Sequence, residues 1–380
     1  MTVNSVAWAP AAAPAPAPAP ATGLGSSAAV HVLLDRLGLG GLAGSDTTAP
    51  LGSNQSVTGT TDTGVDVFVK QVDAMKPDAR QRFARMRDFE EFAAAHPVPE
   101  LRTPRLLGFD EPELLIAFAW LRGSRTGNAL AEDDAFTEEM AYRTGRATGA
   151  LHAVGAQAVA RAPRVLDTSP PMLPPLAFLE AIPLSTYVLS SGAMLDAWRL
   201  LQNDGELRSA LTGLRARERA AAQAPAHCDL RLDQLLWHEG DLYVCDWEEF
   251  RLADPARDVG SYAGEWLYRA VLGIPEGSAE RAQLSHRDIV DRGVSELTRL
   301  RSRNTAFWAG YREAAGLSGS GADEVAVRAT AFAGWHLIDR MIASAEQQPS
   351  LDTMSRAASG IGRTALLRPE KFARTIGLEG

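Results

Sequence analysis

Residues 227–258 read HCDLRLDQLLWHEGDLYVCDWEEFRLADPARD, and the rest of the chain is best understood outward from this stretch. Residues 235–237 form a short apolar run, Glu239-Gly240-Asp241 is a turn signal, and residues 242–245 form a second run. That pattern predicts a β-hairpin. A hairpin of this length returns the end of its second strand to the start of its first. Asp229 and Gln234, ahead of the first strand, should therefore converge with Asp246, which follows the second. One carboxylate and one amide oxygen make a hard-oxygen site suited to Mg2+, a cation that keeps few protein ligands and prefers phosphate oxygens for the rest. The second carboxylate is then free to orient a hydroxyl and accept its proton. Any one of these aspartates alone would be an ordinary solvated residue; the argument rests on the spacing of the set. Cys228 and Cys245 adjoin the two aspartates and read as reduced thiols that pack as small apolar side chains.

On the N-terminal side, residues 9–22 read APAAAPAPAPAPAT. Alternating proline bars a helix and favours extended polyproline II, so residues 1–25 are expected to be a disordered, solvated tail. Val30, Leu33, Leu34 and Leu37 recur with helical spacing over 28–38. Residues 51–70 look like a hairpin punctuated by Gly52, Gly59 and Gly64, and its second strand ends in Val67-Phe68-Val69-Lys70. A helix is predicted over 77–95, and strands over 106–109 and 114–120, which gives β-β-α-β-β: a small sheet with one helix. Of the 38 basic residues only Lys70, Lys76 and Lys371 are lysine. Lys70 at a strand end stands out, because a compact ammonium does work that a guanidinium does not.

C-terminal to residue 123 the pattern turns mostly helical. Residues 134–154 carry Met140, Thr144, Ala147 and Leu151 on one face, with Gly145 and Gly149 a turn apart and open to close packing. Helical patterns resume over 176–222, yield to the β section at 226–250, and continue from 258, where Ala331, Trp335, Ile338 and Ile342 form one stripe. The expected class is α+β, with a small β-rich part followed by a large helical one.

Composition narrows the function. The 380 residues carry a formal charge of −9, against the basic surface that nucleic acid or an anionic membrane requires. No apolar run reaches the ~20 residues of a bilayer span, and no basic residue precedes Arg36 as a signal peptide would need. Two cysteines make neither a disulfide scaffold nor a multi-cysteine zinc site. The expectation is a cytoplasmic enzyme with no nucleic-acid or membrane partner.

The 227–258 stretch resembles the aminoglycoside phosphotransferase (choline kinase-like) superfamily. That superfamily has a loop HGDLxxxN, a metal-binding aspartate in D-W-E, and a later D-P-x-x-D. Here these are residues 227–234, Asp246-Trp247-Glu248 and Asp254 to Asp258. The strand ending in Lys70 is similar to the V-A-I-K strand of kinases. The resemblance implies a bilobal protein-kinase-like fold, with an N-lobe over 26–121 and a C-lobe over 122–380, and ATP and Mg2+ as cofactors. It implies Asp229 as the catalytic base, Gln234 and Asp246 as metal ligands, and Lys70 as the phosphate-holding lysine. Glu90, or Glu91 on the adjoining helix face, would orient that lysine. His227 and Asp258 would brace the loop. Ser53, Asn54 and Gln55 occupy the place of the phosphate-covering loop, although G-x-G-x-x-G is missing. Cys228 stands where the superfamily has Gly, and Gln234 where it has Asn, which leaves a noncatalytic pseudokinase as one alternative.

A narrower resemblance joins three segments: Gly52-Ser53-Asn54 through Gly64, Phe89-Glu90, and Cys228 through Gln234. Together they are similar to the phosphotransferase subunits of class V lanthipeptide and thioamitide synthetases, in which Cys228 and Gln234 would be normal. This implies phosphorylation of Ser/Thr hydroxyls on a ribosomally made precursor peptide. Lyase and cyclase subunits of the same antibiotic pathway would be partners, eliminating phosphate to leave dehydroamino acids. A small-molecule kinase acting on an aminoglycoside or amino alcohol is the other alternative.

Overall fold

The computed structural model describes residues 24–42, 55–76, 78–155, 166–273, 286–346 and 348–379. The expectations for residues 1–23, Ser53 and Asn54 lie outside that set. The chain divides into two compact units, one from Met1–Asp73 and Leu107–Trp120, the other from Ala74–Leu106 and Leu121–Gly380.

The first unit is built on four strands, β1 (Gln55–Thr60), β2 (Asp66–Gln71), β3 (Leu106–Asp110) and β4 (Leu115–Ala119), in the order β1-β2-β4-β3. β2 pairs antiparallel with both β1 and β4. Period-two alternation sends Val67 and Val69 to the inner face, where they meet Val30, Leu33 and Leu34 of helix α1 (Ala28–Arg36). Leu24 joins the same core at 6% exposure. Leu24 and Gly25, expected to lie in the disordered tail, are instead part of a short helical turn, because burying an apolar side chain outweighs the entropy of ordering one turn.

Helix α2 (Ala79–Ala95) is the element that the sequence grouped with the N-lobe and that the structure assigns to the second unit. The Phe89 ring stacks on Trp247 with centroids 3.7 Å apart. Arg82 pairs with Glu248 at 2.6 Å and Glu249 at 3.1 Å, and Arg85 with Asp167 at 2.8 Å. A half-apolar helix follows whichever partner buries its aromatic stripe, and none of these partners is near it in sequence.

The rest of the second unit begins with β5 (Arg125–Thr126), α3 (Gly127–Glu132) and α4 (Glu138–Ala153). There follow α5 (Leu176–Glu180), α6 (Leu184–Leu189), α7 (Gly192–Gln202) and α8 (Gly205–Ala220). The β section holds β6 (Ala224–Ala226), β7 (Leu235–His238), β8 (Asp241–Val244) and β9 (Arg251–Ala253). Helices α9 (Ala256–Gly273), α10 (His286–Ala315), α11 (Gly319–Ala345), α12 (Thr353–Leu367) and α13 (Pro369–Ile376) complete it. No helix among the described residues is long and apolar enough to cross a membrane.

Helix α4 lies against α10 at very short range. A Cβ on Gly145 would sit 2.0 Å from the Phe307 carbonyl oxygen, and one on Gly310 2.2 Å from that of Tyr142. Gly145→Ala must push the two backbones apart, and the expected cost is about 2 kcal/mol. A urea midpoint equal to that of the wild type would show that the helices are not in contact there.

Candidate active site

β7 and β8 pair in the register Leu235↔Val244 to His238↔Asp241. The Cys245 N–H donates to the Gln234 carbonyl at 2.9 Å, which carries the ladder one residue further. Gln234 and Asp246 thus flank the open end of the hairpin, and the Asp246 charge acts on Asp229. The convergence expected from the spacing is present.

Two non-glycine residues here hold left-handed backbone, Cys228 at φ 64 and Asp246 at φ 66. Such a conformation costs an L-residue about 1 kcal/mol, which is why glycine suits the position of Cys228. Asp258 offsets that cost. It is fully buried and its Oδ1 accepts from the Cys228 N–H at 2.7 Å. Its Oδ2 accepts from the His227 N–H at 2.8 Å and lies 3.0 Å from His152 Nε2. Burial pushes its carboxyl up, but the His152 hydrogen bond and the His227 N–H win and hold it below the usual carboxylate range. Asp258→Ala leaves two loop N–H groups and His152 without their acceptor, and the expected loss is about 3 kcal/mol. Chemical denaturation measures it; a loss under about 1 kcal/mol, the size of one ordinary hydrogen bond, would contradict the bracing role.

His227 joins the two loops. Its Nε2 lies 2.9 Å from the Cys245 carbonyl, and its Nδ1 accepts from the Asp229 N–H at 3.3 Å. A carbonyl can only accept, so Nε2 carries the proton and the ring is neutral. One imidazole thereby fixes the backbone beside both aspartates. Burial pushes the Cys228 thiol up, so it is no thiolate.

The Asp229 side chain is 37% exposed. The protein packed around it pushes its carboxyl up to about 7; Arg231 opposes that rise, and Asp246 and Asp233 add to it. Arg231 approaches both its oxygens, Nε to Oδ1 at 3.0 Å and Nη2 to Oδ2 at 3.1 Å. The Gln234 side chain is buried, and among the described residues its amide makes no hydrogen bond. An amide oxygen beside a carboxylate is a donor set that fits a hard divalent cation.

The remaining candidates are distributed between the units. Lys70 lies on β2 of the first unit, between Ser56 and Ile116 of its neighbour strands, and is 6% exposed. Gln55 opens β1 and is exposed. Glu90 lies on α2 of the second unit, where burial pushes its carboxyl up to about 7; among the described residues it makes no ion pair or hydrogen bond. His152, in the last turn of α4, is a partner of Asp258. Arg231 was visible in the motif but carried no signal of its own.

A model of the phosphotransferase enzyme family matches residues 50–300. No curated protein sequence matches the chain. Among solved structures, an amicoumacin kinase in complex with AMP-PNP, Ca2+ and Ami is similar at TM-score 0.55 and 13% identity, over 89% of this chain and 93% of that one. A choline/ethanolamine kinase family protein from Mesorhizobium loti gives TM-score 0.48 and 16% identity, over 88% and 92%. A putative fructosamine-3-kinase from Thermobifida fusca gives 0.49 and 17%, over 91% and 100%.

Proposed function

The chain belongs to the phosphotransferase enzyme family, and from that membership we propose that it transfers the γ-phosphoryl group of ATP to Ser/Thr hydroxyls of a ribosomally made precursor peptide. The observation that carries the reading is the open end of one hairpin, where Gln234 and Asp246 flank the strands and the loop bearing Asp229 leads in. Asp229 orients the acceptor hydroxyl and takes its proton as the oxygen bonds to phosphorus and ADP departs. Gln234 and Asp246 would hold Mg2+, which neutralises phosphate charge when bound. Lys70 would hold the nucleotide phosphates. His227 and Asp258 keep the loop in its left-handed turn.

The peptide acceptor is supported by the narrower sequence resemblance. A surface feature agrees with it: Met172, Leu184, Tyr187, Val188 and Leu189 lie exposed within residues 172–189, and helix α6 buries none of its side chains. An apolar face suits a peptide better than it suits a polycation. A small-molecule acceptor is the second reading, favoured by the fold shared with the amicoumacin kinase.

The test is mass spectrometry of Mg·ATP reactions with the precursor peptide, with and without the lyase subunit, beside an aminoglycoside and an amino alcohol. The expected result is one added phosphate per modified hydroxyl on the peptide, and loss of water once the lyase is present. Phosphorylation of a small molecule alone would replace the peptide reading. Nucleotide binding without transfer would favour a pseudokinase.

A further inference from the structure

Two arginines of α2 reach into the segment that follows Asp246. Arg82 Nη1 donates to Glu248 Oε1 at 2.6 Å, and its Nη2 lies 3.1 Å from Glu249 Oε1. Its Nε donates back to Asp78 Oδ2 at 2.9 Å, so all three guanidinium nitrogens are engaged. Arg85 Nη1 lies 3.3 Å from both the Glu248 carbonyl and Glu249 Oε2, and its Nε is fixed on Asp167 Oδ2 at 2.8 Å. Arg251 grips the same segment from its far end. Its Nε donates to the Glu249 carbonyl at 3.0 Å, and its Nη2 pairs with the Glu249 carboxylate. Arg85, Glu248 and Arg251 are buried.

A buried set of charges is weak evidence of stability, since apolar side chains of similar volume often do as well. What a paired network supplies is one arrangement of the backbone it ties down. Asp246 has use for that. It holds φ 66, a conformation that an L-residue keeps only where its surroundings impose it. On one side of it the Cys245 N–H is fixed on the Gln234 carbonyl. On the other, Trp247 Nε1 donates to the Val244 carbonyl at 3.2 Å and the indole lies flat on Phe89. Beyond Trp247 the chain is held by the arginines, through one main-chain carbonyl and two carboxylates.

We propose that Arg82 and Arg85 are positioning residues that keep the Asp246 carboxylate aimed at a divalent cation bound with the nucleotide. The inference rests on the proposed role of Asp246. Neither arginine touches cation, nucleotide or acceptor in this account; both act through residues 247–249. A plain charge effect would have the opposite sign. Removing a guanidinium from near the site should strengthen cation binding by Coulomb's law, whereas loss of positioning weakens it.

The experiment is calorimetry of AMP-PNP binding to the full chain, with and without Mg2+, so that no turnover is needed. In Arg82→Gln the affinity for Mg·AMP-PNP is expected to fall about tenfold, as it does when the outer contacts of a metal site are cut. The metal-free affinity should stay as in wild type. Arg82→Lys keeps the charge without the planar fork and should recover about threefold over Gln. Arg85→Gln should lose about as much as Arg82→Gln. Thermal melts identify a variant that fails to fold; Arg82 stands at the rim of the network, 22% exposed, and its two variants then decide the matter. Unchanged or tighter Mg·AMP-PNP binding in Arg82→Gln, equal losses with and without metal, or a Lys variant no better than Gln would overturn the positioning role. A folded Arg85→Gln with wild-type affinities would remove Arg85 from it. If Mg2+ adds nothing to wild-type affinity, or Asp246→Asn binds Mg·AMP-PNP as wild type does, the metal reading of Asp246 fails instead, and this inference with it.

Discussion

Asp229→Asn is expected to lower phosphoryl transfer at least about 1,000-fold, near the upper end of what a positioned base contributes. Affinity for Mg·ATP should stay within about threefold of wild type, since the amide keeps the shape and one acceptor oxygen. Single-turnover kinetics and calorimetry separate the two effects, and retained turnover would end the assignment. The wild-type enzyme should also show a pH signature. The Asp229 carboxyl is pushed up to about 7 by the protein around it, with Asp246 and Asp233 adding to the effect of burial. The ionised form is the one that accepts a proton, so the rate should rise with pH through about 7 when the bound cation is weakly held. The same shift has a sign for stability. A carboxyl raised above the ordinary aspartate value of about 4 in the folded state favours folding while it is protonated. That contribution is lost as pH rises from about 4 towards 7. Asp229→Asn should therefore gain stability relative to wild type as pH rises from about 4 to about 7. A constant difference across that range would mean that Asp229 titrates normally.

The second large effect is expected at Asp246. Asp246→Asn removes the charged member of the proposed cation site and leaves two neutral amide oxygens, its own and that of Gln234. The affinity for Mg·ATP should fall about 100-fold, and more Mg2+ should be needed for half-maximal turnover. Calorimetry at fixed ATP and varied Mg2+ reads both. The variant also carries its own control. Nucleotide binding without metal should change little, because Asp246 contributes nothing to adenosine or to bare phosphate except repulsion. Equal loss with and without metal would show that the substitution had disturbed the loop. Asp246 holds φ 66, a conformation that asparagine tolerates at least as well as aspartate, so the backbone should survive the change.

Much of this was legible locally. Alternation in Val67-Phe68-Val69, the turn at Glu239-Gly240-Asp241 and the helical spacing of Val30, Leu33 and Leu34 are short-range patterns, and each became the element it implied. The hairpin arithmetic that brought Gln234 and Asp246 together needed only strand length and turn length. Gly145 and Gly149 also announced close packing, though nothing said against what; a partner some 160 residues on was needed to show that it is α10.

Other features belong to long-range packing. Helix α2 reads equally well as part of either unit, and the stack of Phe89 on Trp247 with the Arg82–Glu248 pair decides it. The acceptors around Cys228 could not be read from its own segment: Asp258 holds it in a left-handed turn, His152 holds Asp258, and Tyr311 meets the other ring nitrogen of His152. Nor could sequence spacing place His336 of α11 against Glu265 of α9. The sequence by itself determined which residues are the candidates for the chemistry and the local elements on which they sit, because motif order and periodicity act over a few residues. Only the tertiary structure decided how the loop that carries Asp229 is held. Its constraints come from hydrogen bonds between residues far apart in the chain, and these exist only once α4, α9 and α10 have packed.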